Sequence, residues 1–180
     1  MTRKLNIGCG KCYLPRENGW TNLDIFSSVN ADVYSDMAAL PFDPHSFDLI
    51  YASHVLEHSH RATVLSILSH WRHLLKPHGI LRLAVPDFAA VVEQYKEKGK
   101  LTELLGLLYG GQNHPKNVHT VAFDEWTLAG ALIKVGFKEV RKWLWQETEH
   151  ADFDDYSQCY LPHRDQSGRL MSLNMEGVNQ

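Results

Sequence analysis

The 180-residue sequence predicts an α/β fold with a mainly parallel sheet, and three observations carry that expectation. Short apolar runs alternate with segments of three- and four-residue apolar spacing, the pattern of strands alternating with helices. The first run, Leu5-Asn6-Ile7, breaks into Gly8-Cys9-Gly10, and glycines at a strand end let a ligand approach the backbone closely. A second run, Thr21-Asn22-Leu23-Asp24-Ile25, places a carboxylate fourteen residues after Gly10. At the tip of the neighbouring strand it can accept two hydrogen bonds from a ribose diol.

Strands are expected at residues 4–8 and 21–25, with a short third one at 31–34 ending at Ser35-Asp36. Residues 47–52, Phe-Asp-Leu-Ile-Tyr-Ala, give the clearest strand, rich in aromatic and branched side chains. Val64, Leu65, Leu68, Trp71, Leu74 and Leu75 recur at helical spacing, so 61–76 reads as a helix stopped by Pro77-His78-Gly79. Another strand follows to Val85, then helical stretches at 87–97 and 101–109. Phe123-Asp124 opens a helix carrying Trp126, Leu128, Leu132 and Ile133, closed by Gly136. A half-wet strand over 137–145 and a last one over 170–178, joined through the polar turn 165–168, complete the chain. Only Lys11 to Trp20 separate Gly10 from the second strand. An ordinary crossover needs about a dozen residues with its helix, so the first helix is expected to be vestigial.

A net charge of −3 and a pI near 6.4 give no electrostatic reason to expect nucleic acid or an anionic membrane. No apolar stretch reaches the length of a membrane span, and the N-terminus has no signal-peptide pattern, so a cytoplasmic protein is expected. The length suits one domain, residues 1–180, with the core at 4–146 and a C-terminal strand and tail at 147–180. Cys9, Cys12 and Cys159 are too few for a disulfide framework. Cys9-x-x-Cys12 sits inside the glycine turn and reads as small residues filling it, rather than as a redox pair or half a metal site.

Gly8 and Gly10 lack the third glycine and the full helix that hold a pyrophosphate, and no G-x-x-x-x-G-K-[ST] cradle exists. A nucleoside cofactor without phosphates fits better, with S-adenosylmethionine (SAM) the obvious candidate. Asn6-Ile7-Gly8-Cys9-Gly10, Asp24, Asp36-Met37 and the stretch from Leu40 to Ile50 then stand in register. Ala52-Ser53-His54-Val55-Leu56-Glu57-His58, Leu75 to Leu81 and Ala131 to Phe137 follow in order. Together these segments, spanning about residues 4–145, resemble the class I SAM-dependent methyltransferases, in particular the type 11 group. The resemblance implies a Rossmann-like sandwich with an antiparallel last strand. It also implies that Gly8 and Gly10 meet the methionine part of SAM, with Cys9 between them. Asp24 would hold the ribose with Ile25 beside it, and Asp36 and Met37 would meet the adenine. Ser53 and His54 would line the methionine side. Asn6 stands where the family most often has an acid, and Tyr13 is expected to offer its π-face to the sulfonium.

Methyl transfer to an oxygen or nitrogen is the activity this resemblance implies; without a basic patch, a small molecule, lipid or glycan is the expected acceptor, and a monomer or homodimer is the expected assembly. A non-catalytic SAM-binding module is the alternative. No strong base is evident. His58, His114 and His119 are the candidates for one, against surface or hydrogen-bonded structural roles. His70 and His73 read as a solvated helix face, and no metal site is expected. Trp20, Tyr109, Trp126 and Trp143 are read as core.

Overall fold

A computed structural model describes residues 2–180. Strands β1 (Lys4–Ile7), β2 (Trp20–Asp24), β3 (Val33–Tyr34), β4 (Phe47–Ser53), β5 (Leu75–Pro86), β6 (Lys138–Lys142) and β7 (Ser172–Val178) form one sheet. Its order is β3-β2-β1-β4-β5-β7-β6, parallel from β3 to β5, with β7 antiparallel to both β5 and β6. The central strands are apolar on both faces because both faces are covered: Leu5, Ile7, Ile50, Tyr51 and Ala52 are all buried. The chain runs outward in opposite directions from the β1–β4 pair. That reversal of strand order opens a crevice beyond the carboxyl ends of the two strands.

Helices α1 (Val64–Leu74), α2 (Phe88–Lys98), α3 (Leu105–Tyr109) and α4 (Glu125–Lys134) connect the strands. α1 buries Val64, Leu68, Trp71 and Leu74 as its spacing predicts, with Ile67 joining the stripe and Leu65 only half-buried, and α4 buries Leu128 and Leu132 beside it. Asp87 caps α2 by accepting from the Ala89 and Ala90 amides, and Asp124 with Thr127 forms a capping box on α4.

The crossover after β1 is vestigial, as expected: a single 3-10 turn, Arg16–Asn18, closed by Gly19 at φ +84°. A β-carbon at Gly19 would lie 2.1 Å from the Thr2 carbonyl oxygen, so only glycine fits there. Without a helix on that face, Leu14 and Trp20 pack with Leu49, Tyr51, Ala84 and Trp143, and Phe153 closes the edge. The missing helix is thus replaced by the far end of the chain.

Several expectations need correcting. β5 starts at Leu75, directly off α1, with a register shift opposite Phe47/Leu49 in place of a turn. The stretch 101–109 is a 3-10 turn, Leu101–Glu103, followed by the five-residue α3. The strand over 137–145 narrows to the mostly exposed β6. Trp126 projects from α4 at 86% exposure and Tyr109 at 53%, so neither is core, whereas Trp20 and Trp143 are buried. The link from β6 to β7 contains the 165–168 turn, but as a whole it is a long excursion. Its 3-10 turns, Trp145–Glu147 and Tyr156–Gln158, carry it past the ends of β5 and β7. Among the described residues, no helix is long and apolar enough to cross a membrane.

Candidate functional site

Two cavities share Gly8, Gly10 and His54 and so meet at the end of β1 and β4. The larger, about 560 Å³, is walled by Asp24, Ile25, Asp36 and Met37 on one side and by His58 and residues 113–118 on the other. The smaller, about 450 Å³, is lined by Asn6, Cys9, Ser53 and Tyr51 under a roof of Asp155, Tyr156 and His163.

The glycine turn is held by the carboxylate it was expected to accompany. Asp24 Oδ2 accepts from the Gly10 amide at 2.9 Å and Oδ1 from the Phe26 amide at 2.9 Å, in a side chain only 5% exposed. Each oxygen keeps lone-pair capacity for a further donor from the crevice. Gly8 has φ +65° and Gly10 φ +51°. Asp36 accepts from the Ala38 amide and pairs with Lys116 across the cavity mouth at 3.5 Å. The Trp71 indole fixes the Met37 carbonyl at 2.8 Å.

His54 stands between the cavities at φ +53°, an unusual conformation for a histidine, with its amide bonded to the Ala84 carbonyl. Its Nε2 lies 3.2 Å from Ser172 Oγ, and Tyr156 tilts against the ring at 5.3 Å. Asp155 accepts from the Tyr51 hydroxyl at 2.6 Å and from Ser53 at 3.4 Å, tying the roof to β4. Burial, with Asp155 adjacent, raises the Tyr51 phenol well above its ordinary value, so the tyrosine stays a donor.

Some expected contacts are turned elsewhere. Tyr13 lines neither cavity; its hydroxyl donates to Asp32 Oδ1 at 2.7 Å, beside the Arg16–Asp32 pair. Burial works against that carboxylate, but four donors, from Arg16, the Asn22 amide, Tyr13 itself and the Asn22 side chain, outweigh it and hold the Asp32 pKa at about 2. Asn6 uses its Nδ2 inward, on the Cys12 carbonyl and Asn22 Oδ1, and so clamps the loop that replaces the first helix. Burial pushes both the Cys9 and Cys12 thiols up to about 12, so neither is a ready thiolate and the turn-filling reading stands.

The histidine candidates separate. His114 walls the larger cavity edge-on to Phe26 at 4.7 Å. His58 faces the same cavity and bonds the Val118 carbonyl, while His119 lies behind it on the Leu107 carbonyl. Between them is Glu57, fully buried, a residue the sequence motif contains but gives no role. Asp155 was missed as well. An acid in an apolar run (Val55-Leu56-Glu57) and the acidic cluster at 152–155 are the signals that mark them.

Residues 5–83 match the family model described as a methyltransferase domain. Over that stretch, a little under half of its length, the chain is similar to methyltransferase domains. A SAM-dependent methyltransferase of Archaeoglobus fulgidus superposes with a TM-score of 0.62 at 18% identity, over 98% of this chain and 86% of that one. Another, from Mesorhizobium loti, gives 0.60 at 18% identity over 98% and 90%. At such identities the likeness is one of fold. A highly reducing polyketide synthase of Aspergillus sclerotiorum is 38% identical over 92 residues, which are 51% of this chain and 3% of that protein. The chain therefore spans only a small part of that relative's length.

Proposed function

We propose that this chain transfers the methyl group of SAM to an oxygen or nitrogen of a small-molecule, lipid or glycan acceptor. The observation that carries the reading is the junction of the two cavities at Gly8, Gly10 and His54, with the Asp24 carboxylate in one and the roofed space in the other. The residues fit the cofactor. Asp24, already oriented by two backbone amides, would hold the ribose hydroxyls with Ile25 beside it, and Asp36 and Met37 would flank the adenine. The bare backbone of Gly8-Cys9-Gly10, with Asn6, Ser53 and His54, would take the methionine part. When bound, SAM supplies a sulfonium methyl that leaves with S-adenosylhomocysteine as the other product.

The protein's own task is alignment and exclusion of water. Asp155, Tyr156 and His163 roof the smaller cavity, whose 450 Å³ suits a small molecule or a headgroup. The net charge of −3 favours the same acceptors over a polynucleotide. A hydroxyl acceptor must lose its proton as the new O–CH₃ bond forms, and of the candidate bases His114, which faces the larger cavity, is the one placed to take it. The same proposal takes residues 1–180 as one domain, with 147–180 supplying the roof and the last strand. Calorimetric titration with SAM and S-adenosylhomocysteine tests it. Wild type is expected to bind both and Asp24→Ala to lose most of that affinity; no binding by wild type, or no change in the variant, contradicts the assignment.

A further inference from the structure

Glu57 is fully buried, and neither of its carboxyl oxygens has a hydrogen-bond donor. A buried carboxyl without partners is costly, and its surroundings sharpen the problem. His58 Nδ1 lies 3.2 Å from the Val118 carbonyl oxygen and His119 Nδ1 2.9 Å from that of Leu107. A carbonyl only accepts, so each Nδ1 carries the proton and each Nε2 presents a lone pair. His54 is fixed likewise. The Ser172 hydroxyl donates to Asn174 Oδ1 at 2.8 Å, so it accepts from His54 Nε2, and His54 Nδ1 turns its lone pair toward Glu57 Oε1 at 3.4 Å. Asn174 is itself oriented by its amide donating to the Ser157 carbonyl. The centre of this cluster holds acceptors facing acceptors, an arrangement that calls for a positive charge.

We propose that Glu57, His58 and His119 form a binding site for a divalent first-row transition-metal ion, open to the crevice at His58. Their ligand atoms all lie within 4.8 Å of one another, with His119 Nε2 3.9 Å from Glu57 Oε1. Bonds of about 2.0–2.2 Å place neighbouring ligands roughly 3–3.5 Å apart, so closing the set needs only small side-chain rotations. Two imidazoles and one carboxylate suit such an ion, and three protein ligands leave positions for an exogenous one. The outer contacts also match a metal site, because each ligating histidine donates its other nitrogen to a carbonyl. Thr120 ties the two ligand segments together, its amide donating to the Glu57 carbonyl at 2.9 Å and its hydroxyl to the Ser59 carbonyl. His54 lies at the edge of the cluster and joins it to the junction of the two cavities. If the methyl-transfer reading holds, the open positions would take an oxygen of the acceptor; that clause alone rests on it.

The test uses the whole chain, stripped with a chelator, shown to be folded by circular dichroism, and titrated with Co²⁺ alone. Visible ligand-field absorption and metal content after gel filtration are the readouts. One ion per chain is expected, and Glu57→Gln, His58→Gln and His119→Gln should each abolish the absorption, while His70→Gln on α1 retains it. A folded wild type that takes up no stoichiometric Co²⁺, Zn²⁺ or Mn²⁺ overturns the site and leaves a shared proton as the resident charge. Uptake that survives both histidine substitutions overturns it equally. SAM calorimetry on the same samples separates the two proposals: metal uptake without SAM binding sinks the cofactor assignment and leaves the metal site standing.

Discussion

Gly8 concentrates the demands of the crevice in one residue. A β-carbon there would sit 2.4 Å from Val55 Cγ2, on a backbone at φ +65°. Gly8→Ala is therefore expected to lower stability by roughly 1–3 kcal/mol, through strain and overpacking together, and urea unfolding measures it. His150 makes a different demand. It is packed against Trp20, Tyr51 and Trp143 with both ring nitrogens unpartnered. Burial, reinforced by Arg82 and Lys4, lowers its pKa to about 3. An unfolded histidine takes its proton near pH 6.5, so between there and about 3 the unfolded state binds more protons than the folded one. Stability contributed by neutral His150 is present above that window and falls as the pH drops through it, by at most about 1.4 kcal/mol per pH unit. Urea midpoints from pH 7 to 4.5 should decline more steeply in wild type than in His150→Phe, and parallel slopes would refute this account.

At the scale of elements, the roof over the smaller cavity depends on one carboxylate. Asp155 accepts from Tyr51, Ser53 and the Ser157 amide, the last of which starts the Tyr156–Gln158 turn. Asp155→Ala leaves the buried Tyr51 hydroxyl unpaired, which is expected to cost about 1–3 kcal/mol and to expose 151–163 to protease. Limited proteolysis, with cleavage sites mapped, checks the second outcome, and a cleavage pattern like wild type would show that other contacts hold the roof. This roof was not legible in the sequence, whereas β1, β2, β4 and α1 were. Those elements announce themselves by local periodicity. Residues 152–158 have none, and their partners on β4 lie about a hundred residues away. Glu57 was hidden for the same reason: its burial depends on the 118–121 segment folding back over it. Trp126 was misread for a simpler one. Leu128 and Leu132, four apart, set the buried face of α4, and two residues back is about 200° around the helix.

For the whole molecule, the crevice makes ligand binding a test of the fold. Asp24 is on β2, the glycine turn follows β1, His54 follows β4, and the Asp155 roof belongs to the excursion before β7. A ligand spanning the junction therefore bridges elements from both ends of the chain, and it should stabilise only the assembled sheet. At a SAM concentration 100-fold above its dissociation constant the gain is about 2.7 kcal/mol, which for a chain of this size raises Tm by roughly 5–10 °C. S-adenosylhomocysteine should give a comparable rise, because the contacts assigned to Asp24, Asp36 and the glycine turn do not involve the methyl group. Asp24→Ala loses the two amide bonds that brace the turn, so its basal Tm should fall. The decisive quantity is the ligand-dependent increment, which should nearly vanish. An increment as large as that of wild type would mean that SAM is held elsewhere on the sheet, and that the carboxylate after β2 serves only the turn.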